Sequence, residues 1–170
     1  MQDRTCVIID ICSIPLGEFM SDIDDESGYE KKPRAGLIPF IKTPDGYQYL
    51  MMISSDPKFG GPRPMISKGK IENGEDELGA AIREAEEELG LFMSNTYGEV
   101  FEIWRGRVAL RSGAYDLAVF AVEVMDRTNF GMWCDETLYT EWHTLESFRD
   151  HGRRDHVKFV EELENRLKLI

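Results

Sequence analysis

Gly69-Lys70-Ile71-Glu72-Asn73-Gly74-Glu75, running on through Asp76 and Ile82 to Arg83-Glu84-Ala85-Glu86-Glu87-Glu88-Leu89-Gly90-Leu91, sets the frame for the rest of the chain. Leu78, Ala81, Ile82, Ala85 and Leu89 recur at helical spacing and gather into one apolar stripe, which predicts an amphipathic helix. Glu84, Glu87 and Glu88 stand at i, i+3 and i+4, so they fall together on the flank of that stripe. Like charges so spaced cost about 0.2–0.5 kcal/mol per pair in an isolated helix. A divalent metal is the simplest counter-charge. Gly79, placed mid-helix by this pattern, costs about 1 kcal/mol against Ala and has no functional reading.

The chain has 170 residues, 42% of them hydrophobic and 31% charged, which suits one globular domain over 1–170. Residues 1–33 read as an N-terminal strand and acidic loop ahead of a core at 34–170. No apolar run approaches the ~20 residues of a membrane span, and Met1-Gln2-Asp3-Arg4 lacks a secretory layout. Cys6, Cys12 and Cys134 are odd in number and form no C-x-x-C pair, so they read as reduced thiols and the expected location is cytoplasmic.

A net charge of −12 argues against broad binding to a nucleic-acid backbone. The charge is unevenly spread. Lys31 to Lys70 holds eight basic residues against two acidic ones, a net +6, and leaves −18 for the remainder. Ile71 to Gly90 then holds eight acids and one base, Arg83. A cationic stretch running into an acidic helix suits a small polyanion, with bases holding phosphates and metals bridging the rest.

Cys6 to Ile14, Arg34 to Lys42 and Tyr47 to Ser54 read as strands, the last two joined by the turn Thr43-Pro44-Asp45-Gly46 into an antiparallel hairpin. Ser21 to Ser27 is an acidic loop, and Ser55 to Pro64 a turn-rich loop at the mouth of the site whose Phe59 covers core or stacks on a base. Gly98 to Leu110 is a strand with Val100, Glu102 and Trp104 on one face and Phe101 and Ile103 on the other. Arg111-Ser112-Gly113 turns the chain into a central apolar strand, Ala114 to Met125. A strand at Thr137 to Trp142, a helical turn at Leu145 to Arg149 and a helix at Asp155 to Leu169 follow. Val157, Phe159, Val160, Leu163 and Leu167 face inward from that helix. This order suits an α+β domain with a mixed sheet between helical layers.

The stretch Gly69–Leu91 resembles the Nudix box, G-x5-E-x7-R-E-U-x-E-E-x-G-U, with Gly69, Glu75, Arg83, Glu84, Ala85, Glu87, Glu88, Gly90 and Leu91 filling its fixed places. The resemblance implies a Nudix-type α/β/α sandwich with a mixed β-sheet and a Mg²⁺-dependent hydrolase, Mn²⁺ being possible. It implies a catalytic set of Glu84, Glu87 and Arg83, with Arg83 and Glu75 holding loop to helix. Glu84, Glu87, Glu88 and the backbone carbonyl of Lys68 would ligate metal, and Glu84 is a ligand or the base. Some relatives take their base from a later loop, where Glu136 and Glu141 are candidates. Gly69 and Gly74 are expected to permit tight turns, and Gly90 to cap the helix.

The Lys68-Gly69 opening, with Ala35-Gly36-Leu37-Ile38, looks more like the dinucleoside polyphosphate and diphosphoinositol hydrolases of that family. Arg34, Lys32, Lys68 and Lys70 are then the candidate phosphate clamps, and Tyr47, Phe59, Tyr115 and Trp133 the aromatics to consider for a base. The leading expectation is hydrolysis of a nucleoside diphosphate linked to another group, with dinucleoside polyphosphates such as Ap4A favoured. RNA 5′-end processing of a triphosphate or NAD cap, ADP-ribose hydrolysis, and a binding module without chemistry are the alternatives. A basic cluster, Arg149, His151, Arg153, Arg154, His156 and Lys158, is either an exposed helix end or an aid to a longer substrate. The expected partner is a small nucleotide and not a membrane. A homodimer through the segment before Arg34 is a further possibility.

Overall fold

A computed structural model describes residues 31–59, 61–110 and 113–169. The expected strand at Cys6–Ile14, the acidic run at Ser21–Ser27, and Arg111 and Ser112 lie outside them. Among the described residues six strands form one mixed sheet: β1 (Arg34–Thr43), β2 (Gly46–Ser54), β3 (Ser67–Lys70), β4 (Thr96–Leu110), β5 (Gly113–Val124) and β6 (Thr137–His143). The order is β4-β5-β1-β2-β6, with β3 also paired to β1. Helices α1 (Glu77–Leu89), α2 (Leu145–His151) and α3 (Arg154–Leu167) complete the fold.

The β1–β2 hairpin forms as its turn chemistry predicts, with Thr43 opposite Gly46. β1 and β5 run parallel, from Arg34 opposite Leu117 to Phe40 opposite Glu123. Along its other edge β1 changes neighbour, pairing β3 over Arg34–Leu37 and β2 over Phe40–Thr43. β5 is central, as its sequence predicts, and buries both faces. Leu117, Val119 and Ala121 join a core with Phe148 and Phe159 of α2 and α3. Ala118, Phe120 and Val122 join a second core with Ala81, Ala85 and Leu89 of α1. Helix, sheet and helix are thus stacked as the expected α/β/α sandwich. Among the described residues no helix is long and apolar enough to cross a membrane.

Four local expectations are corrected. Leu78 is exposed, and Ala80 takes its place in the buried stripe, because the helix presents small residues to the close-lying sheet. Gly79 lies in the first turn of α1, where its N–H donates to the capping Asp76 carboxylate at 2.7 Å. The alternation in β4 fails, since Phe101, Ile103 and Trp104 all pack on the α3 side while Val100 packs on the α1 side. Register shifts at Tyr97/Phe101 and Glu102/Trp104 turn the pattern over. Phe59 is 65% exposed and covers no core.

Candidate active site

β3, Ser67-Lys68-Gly69-Lys70, carries no apolar alternation that would announce a strand. Its inner edge pairs with β1, and side chains from α1 close its outer edge. Just ahead of β3, the Ile66 N–H donates to Nδ1 of His156 in α3 at 3.2 Å. The Lys68 N–H donates to Oε2 of Glu88 in α1 at 3.0 Å. The Lys70 carbonyl accepts from Nη2 of Arg83 at 2.9 Å. In a strand the N–H and C=O of one residue point the same way. The Lys68 carbonyl therefore lies along the same edge as the Glu88 carboxylate.

Glu84, one turn earlier, lies over the α-carbon of Gly69, where any Cβ would overlap its carboxyl group. Gly69 thus lets Glu84 lie close over an extended strand, which corrects its expected role in a turn. Gly74 does turn the chain, with φ at 82°. Arg83 ties the loop to the helix. Its Nε and Nη2 donate to the two oxygens of Glu75 at 2.9 and 3.1 Å, and Nη1 donates to Glu84 at 2.8 Å and Glu87 at 3.3 Å. These hydrogen bonds hold Glu75 below the usual carboxylate range.

The carboxylates divide by burial. Glu88 is 7% exposed, and burial, then the Glu84 charge, pushes it up to about 8. Glu84 is raised by burial against the pull of Arg83. Glu87 is exposed on the same flank.

The segment after β5 is locked onto the end of α1. Gly131 N–H donates to the Gly90 carbonyl at 2.6 Å, Cys134 N–H to that of Glu87 at 2.6 Å, and the Thr137 hydroxyl to that of Glu88 at 2.8 Å. Carbonyls that a helix end would leave open are thereby satisfied. Gly90 is in the left-handed region (φ 68°), as expected for its cap, and Gly131 packs where its Cβ would be. This lock brings Glu136 close enough for its charge to raise both Glu84 and Glu88. Glu141 instead reaches Nε2 of His143 at 3.1 Å.

The basic candidates separate. Lys32 and Lys70 are exposed. The Arg34 guanidinium and Lys68 Nζ both lie over the ring of buried Tyr115, at 5.3 and 5.8 Å. Burial, then Arg34 and Arg153, pushes the Lys68 ammonium down to about 8. The Arg149–Lys158 cluster splits. Arg149 pairs with Glu161, and Lys158 lies over Trp104. Arg153 and His156 turn inward toward Lys68. Of the aromatics, Tyr47 packs on Phe40, and Trp133 is partly exposed.

Among the described residues no three acidic, histidine or cysteine side chains are already gathered to hold a metal, and Glu84 and Glu87 are turned to Arg83. The donor set still fits a hard divalent cation. It is all oxygen, its buried Glu88 and half-buried Glu84 carboxylates repel each other, and a strand carbonyl shares their edge.

A family model described as the NUDIX domain matches residues 32–163. No match was found among curated proteins. The fold is similar to that of a C. elegans Ap4A hydrolase binary complex, with TM-score 0.68, 17% identity, and coverage of 82% of this chain and 100% of that one. It is also similar to the NUDIX domain of Shewanella oneidensis NrtR complexed with ADP ribose, with TM-score 0.67, 12% identity, and coverage of 91% and 99%. A Nudix hydrolase from M. smegmatis gives TM-score 0.64 at 16% identity, with coverage of 84% and 90%.

Proposed function

The chain belongs to the NUDIX domain family, and from that premise we propose that it is a metal-dependent hydrolase of a diphosphate linkage in a nucleoside diphosphate joined to another group. Dinucleoside polyphosphates such as Ap4A are the favoured substrates, and residues 1–170 act as one unit. The observation that carries this reading is the shared edge of β3. Buried Glu88, Glu84 and the Lys68 carbonyl lie beside one another there, and a cationic group begins at the Lys68 side chain.

Glu84, Glu87, Glu88 and the Lys68 carbonyl would hold Mg²⁺ or Mn²⁺. A bound ion would neutralise the diphosphate and lower the pKa of an attacking water. Glu84 or Glu136 takes the proton from that water as its oxygen bonds to phosphorus, and the bridging P–O bond breaks to release the second phosphorylated product. Arg83 keeps Glu84 and Glu87 in place. Lys32, Arg34, Lys68 and Lys70 hold the phosphates. A metal-supplemented screen of nucleotides, read by product masses, tests the reading and identifies the bond cut.

ADP ribose is the second reading, favoured by the ligand of the NrtR domain that shares the fold. RNA 5′ ends come behind it, because the −18 outside the Lys31–Lys70 segment repels a long polyanion. A module without chemistry comes last, since no box carboxylate is missing. Light scattering of a chain shortened by residues 1–30 tests for a homodimer.

A further inference from the structure

We propose that Arg34, Lys68, Arg153 and His156 form an oxyanion pocket on the α3 face of β3, which holds a phosphate of the substrate other than the one attacked. His156 is 1% exposed. Its Nδ1 accepts from the Ile66 N–H, so Nε2 carries the ring proton, and Nε2 is buried with no acceptor. The nearest acid, Asp155, leaves its Oδ2 at 3.8 Å from Nε2, beyond a hydrogen bond, while its Oδ1 takes Arg153 Nε at 2.8 Å. Arg34 Nε is likewise buried without an acceptor. The Arg34 guanidinium and Lys68 Nζ share the Tyr115 ring as a floor.

Buried donors are almost always satisfied in folded proteins. Two orphaned donors beside three cations and one carboxylate describe a place for a ligand with several acceptor oxygens and negative charge. A phosphate meets both requirements, and a guanidinium fork suits it.

The position of the pocket narrows the substrate. Gly69 faces α1 and Glu84, whereas the next residue back, Lys68, sends its side chain to the opposite face of the sheet. A ligand that meets both must cross the outer edge of β3. An extended phosphate chain suits that path, which favours polyphosphate-linked nucleotides over single-diphosphate compounds such as ADP ribose. This step rests on the hydrolase reading, while the pocket itself does not.

The test uses inorganic tripolyphosphate and EDTA, so that neither metal nor turnover enters. Calorimetric titration of the full chain should show binding that weakens about tenfold or more in Arg34→Gln and in Arg153→Gln. Arg149→Gln, whose side chain pairs with Glu161 on the surface, should stay within about twofold. In ¹⁵N-labelled wild-type protein the His156 Nε2–H and Arg34 Nε–H signals should shift on titration. Unmoved signals, or affinity unchanged in both arginine variants, would overturn the pocket. Failure of the wild-type chain to hydrolyse any nucleotide would instead remove the hydrolase reading and leave the binding result standing.

Discussion

The carboxyl group of Glu84 occupies the space that a side chain on Gly69 would fill. Helix and strand are therefore registered by a missing Cβ. Gly69→Ala must push Glu84 away from the edge where Glu88 and the Lys68 carbonyl lie. Turnover in Gly69→Ala should fall by about 100-fold, the cost of misplacing a reacting group by ~1 Å, with a retained circular dichroism spectrum. Wild-type turnover in this variant would mean that the contact is incidental.

Glu88 is costly to the metal-free fold, since burial and Glu84 both oppose its charge. Glu88→Gln keeps a carbonyl acceptor for the Lys68 N–H and removes the charge. Without metal its thermal midpoint should equal or exceed that of the wild type. With Mg²⁺ at 100 times its Kd the wild type should gain about 2.7 kcal/mol and the variant almost nothing. Equal gains in the two proteins would take Glu88 out of the metal site.

Arg83 serves Glu75, Glu84, Glu87 and the Lys70 carbonyl from one planar group. A lysine ammonium cannot reach these acceptors together. Arg83→Lys should lower Mn²⁺ affinity, read by electron paramagnetic resonance titration, or turnover by about 10- to 100-fold. A change below about twofold in both would show that charge alone suffices.

Burial, then the Lys68 charge, holds His156 down from 6.5 to about 3. Between those values the unfolded chain binds a proton that the folded chain refuses, so this contribution is full above about pH 6.5 and is lost as pH falls toward 3. From pH 6.5 to 4.5 this contribution should fall by about 2–3 kcal/mol, while Glu88, pushed up to about 8, gains stability over the same range. The His156 effect is therefore read as a difference: between those pH values, urea unfolding should show His156→Gln gaining on the wild type by about that amount. An unchanged difference between the two proteins would assign the acid sensitivity elsewhere.

The layered fold was legible because β5 is apolar on both faces and α1 carries its stripe from Ala81 to Leu89. The box was legible as a resemblance carried by Gly69 to Leu91, and a family model matching residues 32–163 bears out the family. β3 was not legible, because Ser67–Lys70 becomes a strand only through β1 on one edge and Glu88 and Arg83 on the other. Glu136 and Glu141 looked equivalent in sequence. They are separated by hydrogen bonds from the Cys134 N–H and the Thr137 hydroxyl to carbonyls at the end of α1, contacts that no local spacing encodes. The split of the Arg149–Lys158 cluster has the same cause, since the Ile66 N–H draws His156 inward from 90 residues away.

The chemistry proposed for the edge of β3 is metal-dependent attack of water on a diphosphate bridge. The most direct test is incubation of the full chain with Ap4A and Mg²⁺ in ¹⁸O-water, with product masses read in parallel for Glu84→Gln and Glu88→Gln. The expected result is two nucleotide products, one carrying a single ¹⁸O, with formation abolished by EDTA and reduced by at least ~100-fold in each variant. Turnover that persists in EDTA or in both variants, or a wild-type chain inert toward every nucleotide diphosphate offered, would contradict it.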